Sequence, residues 1–324
     1  MAKHPARFAN RTAMQFEHVT QHTLEVFDRI GARVKQAPIP PRELLFLAQD
    51  MLSHGHPDTL TATGLLKQNP HRDVIDHAML LERCFHRLRQ ALRVEELDRK
   101  HLVRAYRREG YLLFESATRS RKLLVVFTTI FNNFFVSHLV LQALLKELDC
   151  HVLFLKETTL FSYQRGVSSY ATSLPDLAAK IQTTARQLGA DQIYVTGFSS
   201  GGYASLQTSL LLPCNGYLGF SHTTDLSPGS PLPRPWYLTD AVYAQLDPRW
   251  LWDLRDKLRD ADPSVPRFLC YGDRSALDPL YAQHIAGLDT IRLVRLAKAG
   301  HNTILYLLGK NRLTEAFRRL VADR

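Results

Sequence analysis

The sequence predicts an α/β protein in which a mostly parallel sheet carries helices on both faces and follows an all-helical N-terminal segment. Two observations predict this class. Up to residue 109 the apolar residues recur at helical spacing, and after Gly110 short β-rich runs alternate with helical patterns. Strands that alternate with helices form βαβ units, whose sheets are parallel and covered on both faces. We therefore expect a helical segment over 1–109 and an α/β domain over 110–324.

The N-terminal segment contains three helical patterns. The first covers 24–30 and ends at Gly31, and the second covers Leu44–Met51 after a proline-rich start, where proline is tolerated in the first turn of a helix. The longest pattern is a stripe with steps of mostly three and four residues, formed by Met79, Leu80, Leu81, Cys84, Phe85, Leu88, Leu92 and Val94. These helices are candidates for contacts with a second copy of the chain or with another protein.

The α/β domain begins with two β-rich runs, Tyr111–Glu115 and Lys122–Thr129, whose polar connection predicts a hairpin. The later predicted strands are Cys150–Leu155, Gln192–Thr196, Gly216–Phe220, Arg267–Tyr271 and Ile291–Leu296. The predicted helices are Val136–Leu148, Leu174–Leu188, Gly202–Leu212, Ala241–Leu258, Pro279–Ala286 and Thr303–Val321.

Composition and charge exclude several classes of protein. Of the 324 residues, 45% are hydrophobic and 22% are charged, which is typical of a globular chain and not of a disordered one. The formal charge of +10 is spread along the chain, so we interpret the densest basic runs, 104–108 and 119–122, as solvated faces and expect no nucleic-acid partner. No apolar run approaches the ~20 residues that a membrane span needs.

The cysteines and the N-terminal residues bear on location. Four cysteines stand far apart without a CxxC pair, which is typical of a reducing compartment. The first residues, 1–8, contain no apolar stretch of the kind found in a secretory signal peptide. We therefore expect a cytoplasmic protein.

The most informative motif is Gly197-Phe198-Ser199-Ser200-Gly201, which lies between a predicted strand and a predicted helix. A serine on such a tight strand-to-helix turn projects its hydroxyl above the sheet, and the flanking glycines avoid clashes that a Cβ would create. The helix that follows directs its first N–H groups toward negative charge that develops nearby. The motif thus predicts Ser199 as a nucleophile.

With this motif, residues 111–324 resemble the α/β-hydrolase superfamily. The resemblance implies an α/β-hydrolase-like sheet and a catalytic order of nucleophile, acid and histidine, each at the carboxyl edge of a strand. It implies that His301, which follows the last predicted strand, is the general base. The loop that follows the strand Arg267–Tyr271 contains two candidates for the acid. We favour Asp278, because acids of this superfamily often lie a few residues beyond the strand, and keep Asp273 as the alternative.

The resemblance also implies an oxyanion hole and a substrate rim. The N–H of Ser200 supplies one oxyanion donor, and Thr129, in the loop after the second predicted strand, is the candidate for the other, since the His-Gly-rich signature of esterases is absent there. Tyr163, Arg165 and His222 follow predicted strands on the rim of the pocket and are candidate substrate contacts.

These residues predict a serine hydrolase, an esterase or deacylase, whose substrate is a small-molecule or glycan-linked acyl ester. Two alternatives stay open: an acyltransferase that uses the same triad, and a catalytically silent hydrolase-like binding module. The expected chemistry needs neither a metal nor an organic cofactor. The run His54-Gly55-His56-Pro57-Asp58 imitates a set of metal ligands but has no further histidine nearby, so we interpret it as a polar loop.

Overall fold

The structure is a computed structural model, and it describes residues 39–53, 58–91, 110–136, 138–157 and 159–322. Its helices are, in chain order, α1 (Pro41–Ser53), α2 (Thr59–Leu66), α3 (Arg72–Ala91), α4 (His138–Leu145), α5 (Leu174–Gln187), α6 (Ser200–Leu211), α7 (Asp240–Tyr243), α8 (Leu254–Arg259), α9 (Asp278–His284), α10 (Thr303–Gly309) and α11 (Leu313–Val321). Its strands are β1 (Tyr111–Phe114), β2 (Lys122–Phe127), β3 (His151–Leu155), β4 (Gln192–Phe198), β5 (Gly216–Phe220), β6 (Arg267–Gly272) and β7 (Arg292–Leu296).

The chain divides into two compact units. The first contains α1–α3 together with 135–146 and 305–315, so it also includes α4 and most of α10. Because this unit is made of three separate ranges, a single boundary at residue 109 does not describe it. Within this unit α3 packs on α4, and the Cys84 thiol donates to the carbonyl of Leu305 at 3.3 Å. The predicted helices at Leu44–Met51 and along the stripe up to Leu88 agree with α1 and α3. The last two residues of the stripe, Leu92 and Val94, lie outside the described residues, as do 24–30, the basic run 104–108 and the His54–Pro57 loop.

The second unit is built on a seven-stranded sheet with the order β1-β3-β2-β4-β5-β6-β7. All neighbouring pairs are parallel except β1 with β3. After their first residues, Lys122 and His151, the strands β2 and β3 consist of apolar residues buried on both faces, as is typical of a sheet covered by helices on two sides. The predicted α/β class is therefore confirmed.

The prediction of a β1–β2 hairpin is wrong. β1 pairs with β3 instead, in antiparallel register with Tyr111 opposite Leu155. The physical reason is burial: β2 is apolar on both faces and takes a central place between β3 and β4, while the partly exposed β1 lies at the edge.

Two predicted helices are interrupted. The Ala241–Leu258 pattern contains α7, a short 3₁₀ turn at Pro248–Trp250 and α8, because Asp247 and Asp253 cap new helical turns with their side chains. The Thr303–Val321 pattern is divided into α10 and α11 near Asn311, whose φ is 56°. No helix within the described ranges combines the length and the hydrophobicity that crossing a bilayer requires.

Candidate active site

The turn between β4 and α6 holds Ser199 in a rarely adopted backbone conformation, with φ 52° and ψ −118°. A Cβ on Gly197 would lie 2.7 Å from the carbonyl oxygen of Gly201, and one on Gly201 would lie 2.7 Å from the carbonyl oxygen of Phe127. Both distances are shorter than a side chain tolerates, so this turn requires glycine at the two positions. The Ser199 N–H donates to the carbonyl of Phe220 at 2.9 Å and fixes the turn to β5.

Ser199, His301 and Asp278 form a continuous chain of hydrogen bonds. The Oγ of Ser199 lies 2.9 Å from Nε2 of His301, and Nδ1 of His301 lies 2.8 Å from Oδ1 of Asp278. The carboxylate of Asp278 is 1% exposed, whereas the imidazole of His301 is 51% exposed. The serine–histidine end therefore faces solvent, and the acid is held inside.

Parallel strands bring these three residues together. β4, β6 and β7 run in the same direction, so the loops that follow them emerge at the same edge of the sheet. The loops after β6 and β7 also touch, since a Cβ on Gly272 would lie 2.6 Å from the carbonyl oxygen of Ala299. The N–H of Arg274 donates to that same carbonyl at 2.9 Å. The loop after β6, which leads to Asp278 (the acid loop), and the loop after β7, which carries His301 (the histidine loop), are thus packed against each other.

Asp273, the alternative acid, is occupied elsewhere. Its Oδ2 accepts from the guanidinium of Arg295 at 2.9 Å, and its Oδ1 accepts from the N–H of Lys298 at 2.7 Å. The bond from Arg295 is the main reason that the pKa of Asp273 lies below its ordinary value. Asp273 therefore joins the acid loop to the histidine loop, and the structure does not bring it to His301.

The candidate oxyanion donors lie around the start of α6. Ser200 is the first residue of α6, where backbone N–H groups have no acceptor within the helix. The N–H of Thr129, however, donates to the carbonyl of Asn133 at 2.8 Å inside its own loop, so the expected donor is already engaged. The neighbouring N–H of Ile130 points toward α6 and donates to Oγ of Ser200 at 2.8 Å. No sequence pattern indicates this amide, because every residue except proline carries one.

Tyr163 does not line the rim, and its prediction as a substrate contact is wrong. Its side chain is fully buried. The hydroxyl lies 2.8 Å from the carbonyl oxygen of Thr128 and 2.9 Å from that of Leu155, so it bridges the ends of β2 and β3. Burial raises the pKa of Tyr163 well above its ordinary value, so the hydroxyl keeps its proton to donate. Tyr163 is part of the scaffold beneath the site.

His222 is likewise buried, which makes the prediction of a substrate contact at this position wrong. Burial lowers the pKa of His222 to about 4, so the ring is neutral near pH 7. Its Nδ1 lies 2.7 Å from the carbonyl oxygen of Thr223, which only accepts, so Nδ1 carries the proton and Nε2 accepts from the hydroxyl of Tyr217 at 2.7 Å. A Cβ on Gly202 would collide with the imidazole. His222 therefore packs behind the first turn of α6.

Arg165 is exposed, and its guanidinium lies 3.5 Å from the ring centroid of Phe161 in the same loop. This stacking holds the charge over an aromatic face. A contact between Arg165 and an acidic substrate stays a prediction.

The strand order and the positions of these loops together decide the architecture. A sheet whose first strand is antiparallel, with a serine turn after its central strand β4 and the acid and histidine loops after β6 and β7, is the arrangement of the α/β-hydrolases. The second unit has the α/β-hydrolase fold.

Chains similar to this one are found among solved structures. No family model and no curated protein sequence matches the chain. Among solved structures, the chain is similar to an esterase from Thermogutta terrifontis (16% identity over 65% of this chain and 86% of the esterase, TM-score 0.47). It is also similar to an S-formylglutathione hydrolase from Agrobacterium tumefaciens (13% identity, 65% and 90% covered, TM-score 0.45) and to a carboxyl esterase from Tuber melanosporum (16% identity, 66% and 80% covered, TM-score 0.46).

Proposed function

We propose that the chain is a serine hydrolase that cleaves acyl esters through a covalent acyl-enzyme. The observation that supports this most directly is the hydrogen-bonded chain from Asp278 through His301 to Ser199, with distances of 2.8 and 2.9 Å. A nucleophile within reach of a base that is oriented by a third group is the arrangement that activates a serine hydroxyl.

Each residue has a distinct role in the proposed reaction. Nε2 of His301 accepts the proton of the Ser199 hydroxyl while Oγ attacks the acyl carbonyl. The imidazolium then gives this proton to the departing alcohol, which leaves Ser199 acylated. A water molecule that is deprotonated by His301 hydrolyses the acyl-enzyme and restores the serine. The carboxylate of Asp278 accepts from Nδ1–H throughout and stabilises the imidazolium.

The negative oxygen of the tetrahedral intermediate needs two N–H donors. The N–H of Ser200 is the first in this proposal, and the N–H of Ile130 is the second. In the resting site the N–H of Ile130 donates to the hydroxyl of Ser200, which holds this amide beside the start of α6, and in the transition state the N–H is shared between that hydroxyl and the oxyanion. This assignment replaces Thr129, whose amide donates within its own loop.

A fluorophosphonate probe tests the proposal without knowledge of the natural ester. We expect rapid labelling of the wild-type protein, mass-spectrometric assignment of the adduct to Ser199, and loss of labelling in Ser199→Ala. Ser209→Ala is the matched control, because Ser209 lies in the same helix and its hydroxyl donates to the carbonyl of Leu206 at 2.8 Å. An adduct on another serine, or an unlabelled wild-type protein that is correctly folded, would contradict the proposal and favour a silent module.

Short-chain p-nitrophenyl esters then measure turnover, with and without an added alcohol acceptor. Hydrolysis predicts release of the free acid at a rate that the acceptor does not change. Transfer of the acyl group to the acceptor as the main product would instead identify an acyltransferase with the same nucleophile.

A further inference from the structure

Two aspartates outside the hydrogen-bonded chain of Ser199, His301 and Asp278 oppose each other. Asp225, after β5, and Asp253, which caps α8, form an isolated antiparallel bridge. The N–H groups of Leu226 and Leu254 donate across this bridge at 3.1 and 3.0 Å, on either side of the pair. The aspartates are thus a non-hydrogen-bonded pair, the type in which facing side chains are closest. Like charges in that position repel each other, so a positive charge beside the pair would be stabilising.

The hydrogen bonds of His284 determine which of its nitrogens carries a proton. The hydroxyl of Thr224 donates to the carbonyl of Tyr281 at 2.9 Å and lies 3.0 Å from Nδ1 of His284. Because that hydroxyl has one proton, Nδ1 of His284 must donate to it. In the neutral ring Nε2 then presents a lone pair, and this atom lies 3.3 Å from Oδ1 of Asp253. A lone pair that faces a carboxylate requires a cation between them or a second proton on the ring.

We propose that Asp225, Asp253 and His284 bind a divalent transition-metal cation. One ligand atom from each residue lies within 4.8 Å of the other two. Ligands on a tetrahedral Zn²⁺ lie roughly 3.4 Å apart, as follows from ligand distances of about 2.1 Å, so small side-chain rotations close the site. Asp225 is 3% exposed, while His284 and Asp253 are 15% and 28% exposed, which leaves an entrance on their side.

The groups around the three ligands already orient them. Oδ1 of Asp225 accepts from the N–H of Ser227 at 2.7 Å, and Oδ1 of Asp253 accepts from the N–H of Arg255 at 2.8 Å. Nδ1 of His284 donates to Thr224. Such outer hydrogen bonds fix the tautomer of the histidine and the direction of the carboxylates in metal sites.

Charge and ligand type favour zinc over calcium or magnesium. A divalent ion neutralises both carboxylates, whereas a single extra proton on His284 leaves one negative charge. An imidazole nitrogen suits Zn²⁺ and its neighbours in the transition series, while Ca²⁺ and Mg²⁺ prefer an all-oxygen set. The ion would connect the segment that includes Asp225 and Asp253 to the last residue of α9, the helix that begins with Asp278.

Calorimetric titration of the chelator-treated full chain with ZnCl₂ tests this site. We expect one strongly bound ion per chain, and at least a tenfold weaker affinity in Asp225→Asn and in His284→Gln. Asp225→Asn keeps an oxygen for the N–H of Ser227, so its fold is expected to persist. Asp256→Asn is the matched control, since this exposed acid in α8 pairs with Arg259 and lies outside the cluster. Zinc at a hundredfold excess over Kd should raise the melting temperature of the wild type by about 5–10 °C.

A second measurement distinguishes metal binding at this site from metal binding at one of the buried cysteines. Co²⁺ bound at the proposed site has only nitrogen and oxygen ligands, so its visible absorption should lack a thiolate charge-transfer band. The proposal is overturned if no stoichiometric ion binds, if Asp225→Asn and His284→Gln bind zinc as the wild type does, if the thiolate band is present, or if Ca²⁺ binds more tightly than Zn²⁺.

Discussion

Nδ1 of His301 lies 2.8 Å from Oδ1 of Asp278, a carboxylate that is almost completely buried. An ionised carboxylate only accepts hydrogen bonds, so in the neutral ring the proton is on Nδ1. Nε2 is then free to accept from the hydroxyl of Ser199, 2.9 Å away. The buried acid thus selects the tautomer in which the exposed end of the imidazole is a base.

Asp278→Asn should remove the group that orients the imidazole of His301 without changing the fold. Asparagine has the same shape, but its NH₂ group can donate to Nδ1 and favours the unproductive tautomer. We expect kcat for p-nitrophenyl ester hydrolysis to fall by about 10⁴-fold, the loss known for the corresponding change in a serine protease. The measurement is steady-state turnover together with circular dichroism, which should be unchanged.

Asp273→Asn is the matched control for this change. It removes one charge from the ion pair with Arg295 but leaves an oxygen for the N–H of Lys298. Since ion pairs at the protein surface contribute little to stability, we expect kcat within about threefold of the wild type and only a small loss of stability. A larger loss of kcat in Asp273→Asn than in Asp278→Asn would reverse the assignment of the acid.

The double variant Ser199→Ala/His301→Ala should be little worse than either single variant. Residues that act as a unit show strongly non-additive losses, because the reaction that survives the first change does not use the second residue. Each single variant should reduce kcat by several orders of magnitude. If the two losses multiply in the double variant, the two residues act independently and the proposed mechanism is wrong.

Ser200→Ala tests the contact between the loop after β2 and α6. Without Oγ, the N–H of Ile130 loses its acceptor in the resting site and the loop is free to shift. We expect kcat to fall by about 10- to 100-fold with little change in KM, because misplacement of an oxyanion donor acts in the transition state. Ser209→Ala is again the control in the same helix. An unchanged or higher kcat in Ser200→Ala would show that Oγ does not position the loop.

Much of the fold could be predicted from the sequence because it depends on local patterns. Each strand of the second unit corresponds to an apolar run, and Gly197 and Gly201 indicate the turn at Ser199. The pairing of β1 with β3 could not be predicted in this way, because it depends on which strand is buried on both faces in the complete sheet.

For the site residues, the sequence indicates the position along the chain but not the direction of the side chain. Ser199 was predicted from its motif, and Asp278 and His301 were predicted from the resemblance to the α/β-hydrolases; each of the three follows a strand, whose end fixes where the next segment emerges. Tyr163 and His222 also follow strands, but their side chains point into the core, which no periodicity in a loop indicates. The amide of Ile130 carries no sequence signal, since every residue except proline has such a group.

Tyr163→Phe should destabilise the protein without changing substrate affinity. The change removes the hydroxyl that donates toward Thr128 and Leu155 and leaves buried carbonyl oxygens with one partner fewer. We expect a loss of about 1–3 kcal/mol in the free energy of unfolding, measured in urea, and an unchanged KM. A higher KM at unchanged stability would instead indicate that Tyr163 contacts the substrate.

Glu157 should make the stability of the fold depend on pH. Its carboxyl group is buried after β3, and burial raises its pKa to about 7, although Oε2 accepts from the N–H of Tyr163 at 2.9 Å and Oε1 accepts from Thr159. In the unfolded chain this pKa is ~4.3. Between these values the folded state binds a proton that the unfolded state lacks, so stability falls as pH rises.

Glu157→Gln removes this proton-binding difference while keeping the size of the side chain. In the wild type, the contribution of Glu157 is fully present below pH ~4.3 and is lost as pH rises through about 7, by on the order of 3 kcal/mol. In the variant, either the oxygen or the NH₂ group of the glutamine amide faces the N–H of Tyr163. Because the amide does not titrate, its effect on the free energy of unfolding does not change with pH. Urea unfolding of both proteins from pH 5 to 8 therefore should give a steeper decline for the wild type. Parallel curves would mean that Glu157 is ionised over the whole range and that its three hydrogen bonds outweigh its burial.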